Sequence, residues 1–323
     1  MHSFWNKLPT PFFVLAPMED VTDAAFRRLI AEYGKPDVMY TEFTSADGLA
    51  LADDKGREKL LKKLAYAEIE RPIVAQLFSA VPEHMEQAAR LCRELGFDGI
   101  DINMGCPARN MARQLCGAEL IRNHALAREV IRAAKRGAGE LPVSVKTRAG
   151  YTHDSELDAW ARVLLSEDIA ALTLHARTRK DLSKVPARWE LVRCTVSIRD
   201  EMQIETLIVG NGDVKDLADA HAKAKEYGCD GVMLGRAIYG NPFLFQRSGE
   251  YLNKKEGEKL EIQALKRHLE LFDELLAGTA SYATMKKHFK AYISGWKGAK
   301  EMREALMETN TPAQAIAYIE SAQ

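Results

Sequence analysis

Short apolar runs recur along most of the chain: Phe12–Ala16, Val38–Thr41, Ile73–Leu77, Gly99–Asn103, Val143–Thr147, Ala171–His175, Leu207–Gly210 and Gly231–Gly235. Most are followed by a stretch of helical periodicity. In Glu83–Leu95, for example, Met85, Ala88, Ala89, Cys92 and Leu95 fall at helical spacing and predict one buried face. Alternating strands and helices predict a parallel sheet, because parallel neighbours need a crossover. Eight strands suit a closed α/β architecture, the (β/α)₈ TIM barrel, better than an open doubly wound sheet. After Phe245 the pattern changes. Gln263–Leu276, Ala283–Ser294 and Ala299–Glu308 predict amphipathic helices, and the charged stretch Tyr251–Lys259 reads as a solvated connection. The expectation is a barrel domain over residues 1–245 and a helical domain over 246–323, packed on the barrel.

Composition narrows the class. The 323 residues carry 45 Lys plus Arg against 46 Asp plus Glu, a net charge of −1, so the chain is neither wholly basic nor an acidic disordered segment. The uncharged run Leu8–Met18 is short and broken by Pro9, Pro11 and Pro17, which suits neither a membrane span nor an ordinary signal peptide. Five cysteines form no CxxC pair, so neither a disulfide framework nor a zinc site is expected. No His/Cys cluster has metal spacing, and no GxGxxG follows a strand. A soluble cytoplasmic protein is expected, a monomer with no metal and no membrane association.

In a barrel of this kind, chemistry collects where strands end. The predicted strands end in Ala16-Pro17-Met18, Tyr40-Thr41-Glu42, Gln76, Asn103-Met104-Gly105-Cys106-Pro107, Lys146-Thr147-Arg148, His175-Ala176-Arg177-Thr178, Asn211-Gly212-Asp213 and Gly235-Arg236. Together they describe a polar pocket fed by each strand. Gly212 and Gly235 allow close backbone approach to a ligand and Arg236 adds a fixed charge, which suits a phosphate at the last two strand ends. The competing reading is that the glycines only make tight turns. Cys106 lies in a loop at the pocket mouth, where a thiol can give or take a proton. Cys92, Cys194 and Cys229 read as inert buried residues, and Cys116, ahead of a helix predicted over Ala118–Arg136, as a competitor that this helix could bury. Lys146 and His175 point at the same space, unless they serve to partner a buried carboxylate such as Glu42 or Asp101.

The tail is locally basic. Thr284–Arg303 holds Lys286, Lys287, Lys290, Lys297, Lys300 and Arg303 against the single acid Glu301, a local charge of +5, with Phe289, Tyr292 and Trp296 interleaved. Such a face is either simply solvated or suited to a phosphate backbone.

These motifs, with Val21-Thr22-Asp23, Thr41-Glu42 and Met285-Lys286-Lys287-His288 added, together resemble the bacterial tRNA-dihydrouridine synthases over essentially the whole chain. Asn103-Met104-Gly105-Cys106-Pro107 is the most specific stretch. The resemblance implies FMN at the barrel mouth, NADPH as electron donor and reduction of uridines in tRNA to 5,6-dihydrouridine. It implies that Pro17, Met18, Gln76, Lys146, His175, Asn211, Gly212, Asp213, Gly235 and Arg236 hold FMN. Asn103 and Arg148 would hold the uracil, Cys106 would donate the proton, and Lys286, Lys287 and Lys290 would contact tRNA. The chain departs from the family pattern at Glu19-Asp20, usually Ala-Gly, at Ala176, often Gly, and at Ser183, often aromatic. The alternatives are an FMN barrel oxidoreductase for a small molecule and a tRNA-binding protein without catalysis. The basic tail argues against the first, and the presence of Cys106, Lys146 and His175 against the second.

Overall fold

The computed structural model describes residues 3–246 and 254–322. Nine strands form one parallel sheet: β1 Phe12–Leu15, β2 Met39–Tyr40, β3 Thr44–Ser45, β4 Ile73–Phe78, β5 Gly99–Met104, β6 Val143–Gly150, β7 Ala171–Thr178, β8 Leu207–Asn211 and β9 Gly231–Leu234. Their order, β1-β9-β8-β7-β6-β5-β4-β2, with β3 beside the end of β4, is that of a (β/α)₈ barrel. The seam between β1 and β2 is closed by a Val14–Val38 bridge, where the Leu15 N–H donates to the Val38 carbonyl at 3.2 Å. All eight runs read from the sequence are barrel strands; β3 is a two-residue addition too short to leave a periodicity.

The period of two along each strand sorts side chains to opposite faces. Phe12, Val14, Ala16, Val38, Tyr40, Val74, Ala171, Val209 and Met233 pack inside the barrel, while Phe13, Leu15, Met39, Ile100 and Ile102 face the surrounding helices. Gly231 is needed inside, because a Cβ there would lie 2.4 Å from the Phe12 ring. Towards the C-terminal end the inward positions turn polar: Gln76, Asp101, Asn103, Lys146, Arg148, His175, Arg177 and Asn211. Paired register aligns them, with Asn103 opposite Lys146, Arg148 opposite His175, and His175 opposite Asn211.

Several local expectations are corrected. The Glu83–Leu95 helix forms as Pro82–Glu94 and buries Met85, Ala88, Ala89 and Cys92, but Leu95 is its exposed C-cap. The helix expected over Ala118–Arg136 is split into a 3₁₀ segment Gly117–Arg122 and a helix His124–Ala138, because the Asn123 side chain caps the second by accepting from the Leu126 N–H. Cys194 is exposed rather than buried. In the connection expected at Tyr251–Lys259, residues 251–253 lie outside those described, and from Lys254 the chain is already in the helix Lys254–Leu276.

The tail continues with helices Ala283–Tyr292, Ala299–Glu308 and Pro312–Ser321, the last not foreseen. They share a core containing Leu265, Leu269, Phe272, Met285, Phe289, Tyr292 and Leu306, joined from the barrel by Ala24, Ala25 and Leu29 of helix Ala24–Tyr33. Among the described residues no helix is long and apolar enough to cross a membrane.

Candidate active site at the barrel mouth

The C-terminal ends of β1, β6, β7, β8 and β9 surround a cleft of ≈ 570 Å³. Pro17, Met18, Lys146, His175, Asn211, Gly212, Asp213, Gly235 and Arg236 line it, together with Arg177, Ser183 and Lys215. Pro17, just past β1, has no N–H with which to extend the ladder. After β8 the turn is possible because Gly212 adopts φ +126°, and a Cβ there would stand 2.8 Å from that of Ala187. Gly235 has a negative φ and only ordinary contacts, so at that position the glycine opens space instead of permitting a turn. Only a 3₁₀ turn, Arg236–Ile238, follows β9.

The cations of the cleft are held in place. Lys146 Nζ donates to Asn211 Oδ1 at 3.3 Å, and Asn211 Nδ2 donates to the Met233 carbonyl at 2.8 Å. Desolvation, with Arg148 nearby, pushes the Lys146 ammonium down to about 8. Burial and the neighbouring cations, Lys146 first, hold His175 far below its usual range, so it is neutral. A guanidinium can only donate, so the 3.1 Å contact from Arg177 Nη1 makes His175 Nε2 the acceptor and places the ring proton on Nδ1. Arg177 also donates to the Val185 carbonyl and to Asp213, whose other oxygen accepts from Arg236 at 2.8 Å. Burial opposes charge on Asp213, but the bonds from Arg177 and the Ala187 N–H hold its carboxyl below the usual range. Arg177 and Lys215 were not singled out from the sequence as site residues. Arg177 could have been, since it lies two residues beyond His175 on the same inward side.

Behind the cleft is a polar stack. Gln76 is fully buried and does not line the cleft: its Nε2 donates to Asp101 at 2.7 Å and its Oε1 accepts from Asn103 Nδ2 at 3.1 Å. Burial raises Asp101 to about 6. Asn103 Oδ1 accepts from the N–H groups of Gly105 at 3.1 Å and Cys106 at 2.9 Å, which fixes the start of the Cys106 loop. Arg148 fixes it from the other side, its Nε donating to the Gly105 carbonyl at 2.8 Å and its Nη1 to the carbonyls of Thr178 and Leu182. Just beyond Arg148 the β6–β7 register shifts, with one extra residue on β7 between His175 and Thr178. Cys106 is partly exposed, and burial raises its thiol above the ordinary value, so at neutral pH it is protonated. Cys116 is wholly buried, its thiol pushed up to about 12 by burial and against the Met111 carbonyl.

The Glu19-Asp20 turn makes an acidic corner with Glu42. The Asp20 N–H donates to Glu42 Oε1 at 2.6 Å, and burial raises Glu42 to about 7. Glu19 pairs with Lys63 at 2.7 Å, and Asp20 pairs with Lys287 of the tail at 2.9 Å. Among the predicted tail contacts, Lys286 donates to the Met307 carbonyl at 2.6 Å, and Lys290 is exposed with no ion-pair partner among the described residues. With Lys300 and Arg303 these lysines line one shallow basic groove. Phe289 lies at the floor of this groove but, like Tyr292, is a core residue only 1% exposed.

A family model described as dihydrouridine synthase (Dus) matches residues 14–323. The chain is 43% identical over 319 residues to a "Probable tRNA-dihydrouridine synthase 2" of Bacillus subtilis (strain 168), covering 98% of this chain and 96% of that one. It is 40% identical over 319 residues to a "Probable tRNA-dihydrouridine synthase" of Staphylococcus aureus (strain COL), covering 98% and 95%. Among solved structures, histamine dehydrogenase from Rhizobium sp. 4-9 superposes with a TM-score of 0.55 at 15% identity, over 80% of this chain and 48% of that one. That likeness concerns the fold.

Proposed function

The chain belongs to the dihydrouridine synthase family, a family of flavin-dependent oxidoreductases, and we propose that it uses FMN and NADPH to reduce uridines of tRNA to 5,6-dihydrouridine. The observation that carries this is the juxtaposition of a desolvated Lys146, a neutral His175 and a protonated Cys106 at one barrel mouth.

The residues present fit the cofactor. The cleft volume falls within the roughly 300–1,000 Å³ of small-molecule sites. Arg236, steadied by Asp213, and the exposed Lys215 offer charge to a phosphate, with Gly212 and Gly235 giving it close backbone approach. Asp213 then acts by aligning Arg177 and Arg236, since its own charge repels a phosphate. Pro17, Met18 and Asn211 line the same cleft, and Gln76 braces Asn103 behind it. Bound there, FMN would supply the hydride transfer from NADPH to the pyrimidine ring.

The chain supplies the rest. Asn103 retains one amide hydrogen beyond its bond to Gln76, and Arg148 brings a buried positive charge beside Cys106; together they hold the base and draw charge towards its carbonyl. Cys106 Sγ delivers a proton to the ring carbon that does not take the hydride, a task suited to a thiol kept protonated by burial. Reaching this depth requires the uridine to leave its stack, which costs a few kcal/mol. Lys286, Lys287 and Lys290 supply phosphate contacts from a tail domain, 246–323, beside a catalytic domain, 1–245. The same reading makes the protein a cytoplasmic monomer.

Purified protein given FMN should show flavin absorbance. With NADPH it should form dihydrouridine in unmodified tRNA, read by mass spectrometry of the nucleosides. Protein that takes up no flavin, or a flavoprotein that leaves tRNA unchanged while oxidising NADPH, overturns the reading.

A further inference from the structure

Among the described residues, two leucines adopt the left-handed backbone region that glycine favours, and both lie on loops that adjoin site residues. Leu115 has φ +57° and is 64% exposed; Leu182 has φ +54° and is 37% exposed. Leu115 follows the short helix Arg109–Arg113, its N–H donating to the Ala112 carbonyl while the Cys116 N–H donates to the Met111 carbonyl. That is the helix-ending position where glycine or asparagine is the usual choice. Two residues on, Gly117 packs against the Cys106 carbonyl so closely that a Cβ would lie 2.8 Å from it. Leu115 is therefore borne on the turn directly behind the thiol loop. Leu182 is borne on the loop after β7, on the other side of β6, next to Ser183 of the cleft. One side chain ties the two loops together: Arg148 donates to the carbonyls of both Gly105 and Leu182.

A leucine in this position is unfavourable twice, once for its backbone and once for apolar surface left in water. Both loops also carry cations without a side-chain partner among the described residues, Arg109 and Arg113 on one and Lys180 and Lys184 on the other. Exposed apolar side chains flanked by free cations match a polyanion with apolar faces between its charges. That is the character of RNA, whose bases stack and whose phosphates attract cations.

We propose that Leu115 and Leu182 are apolar wedges that pack against the bases on either side of the extruded uridine, with Arg109, Arg113, Lys180 and Lys184 on the adjoining phosphates. Apolar side chains take this part where proteins unstack a nucleic acid. The inference rests on the reading of the site as a tRNA-reducing one.

The test uses the FMN-loaded protein with both leucines changed to Asn, which tolerates a left-handed backbone, and separately to Met, which keeps the apolar surface. Three quantities are read: the melting temperature, the rate of flavin reduction by NADPH without tRNA, and kcat/KM on unmodified tRNA. The Asn variant should keep the first two and lose about tenfold or more in the third, while the Met variant stays close to wild type. An Asn variant within about twofold of wild type on tRNA, or a Met variant as impaired as the Asn variant, overturns the inference. So does an Asn variant whose melting temperature and flavin reduction fall together with its activity, since the leucines would then be structural. Wild-type turnover of tRNA with an unaffected Asn variant sinks the wedge alone. Wild-type protein that neither binds nor reduces tRNA sinks the wedge and the proposed function together.

Discussion

Lys146 and Lys290 are the same side chain in opposite circumstances. Lys146 stands on β6 under the cleft, bonded to Asn211, its charge disfavoured by desolvation and by Arg148. Lys290 stands on a tail helix in water, with no ion-pair partner among the described residues. The barrel mouth builds each charge into a network: Asn211 on Lys146, Asp213 on Arg177 and Arg236, backbone carbonyls on Arg148. The tail holds its charges at the surface, some singly bonded, as Lys287 is to Asp20 and Lys286 to the Met307 carbonyl, and Lys290 without an ion-pair partner among the described residues. A cation that has lost its water interacts strongly with whatever anion reaches it, so one residue can be decisive, whereas exposed cations act weakly and together and are screened by salt. Removing one group at the mouth should therefore abolish a step, while removing one in the tail should only shade an affinity.

The sharpest test is at Cys106. Cys106→Ala should keep flavin and its reduction by NADPH, yet slow tRNA turnover by roughly 10²–10⁴-fold through loss of a positioned acid. Cys116→Ala, which removes a thiol buried against Met111, should stay active. Single-turnover oxidation of the NADPH-reduced protein by tRNA separates the two, and a dead Cys116 variant would move the proton donor to the other cysteine.

Arg236 lies between the two extremes, being 64% exposed yet held by Asp213. Arg236→Ala should weaken FMN by about 1.5–3 kcal/mol, with its exposure favouring the lower end. Fluorescence titration of the flavin measures it. An unchanged affinity would place the phosphate elsewhere, with Lys215 the next cation of the cleft to try.

In the tail, changing Lys286, Lys287 and Lys290 together to Ala should weaken tRNA binding, flatten its salt dependence by a slope of about 0.7–0.9 per lost contact, and leave flavin reduction intact. Lys290→Ala should show most of the effect, because Lys287 is engaged by Asp20 and Lys286 by the Met307 carbonyl. Affinities at several salt concentrations decide this. Equal slopes for wild type and triple variant would make the face merely solvated.

A last test, on stability instead of activity, concerns the buried pair His268 and His288, which touch each other and Phe26 where the tail meets the barrel. Burial depresses both, His288 to about 4. Below the ordinary value of ~6.5 the unfolded chain takes up protons that the folded one refuses. Stability is thus unaffected above that pH and falls between ~6.5 and about 4, by up to about 1.4 kcal/mol per pH unit for each histidine. Thermal melts of wild type and of His288→Phe across this range should diverge as pH falls.

Much of the molecule was legible before folding because its signals are local. All eight barrel strands could be read, since apolar runs bounded by proline, glycine or polar residues reflect burial on both faces. Their polar ends marked the mouth for the same reason: an inward position that turns polar at a strand end cannot be core. Glu19-Asp20 stood out as a departure from the family pattern, and those two residues make the ion pairs to Lys63 and Lys287.

The misread parts depend on partners far away in the chain. Phe289 and Tyr292 are interleaved with lysines in the sequence, but which face of a helix is buried is set by the helices packed against it, and here both rings enter the tail core. Cys194, on a helix, looks buried and is not. That Gln76 bonds Asp101 and Asn103 behind the cleft is a matter of layer, fixed by the register of β4 against β5, which its place on the strand does not reveal. The alignment of Arg236 by Asp213 and the two loops tied by Arg148 are likewise contacts between strand ends. Sequence by itself determined the alternation of strand and helix, the polar rim and the family to which the chain belongs. Only the tertiary structure decided which of those polar groups face the cleft and which serve one another, because hydrogen bonds between distant residues form only once the barrel closes.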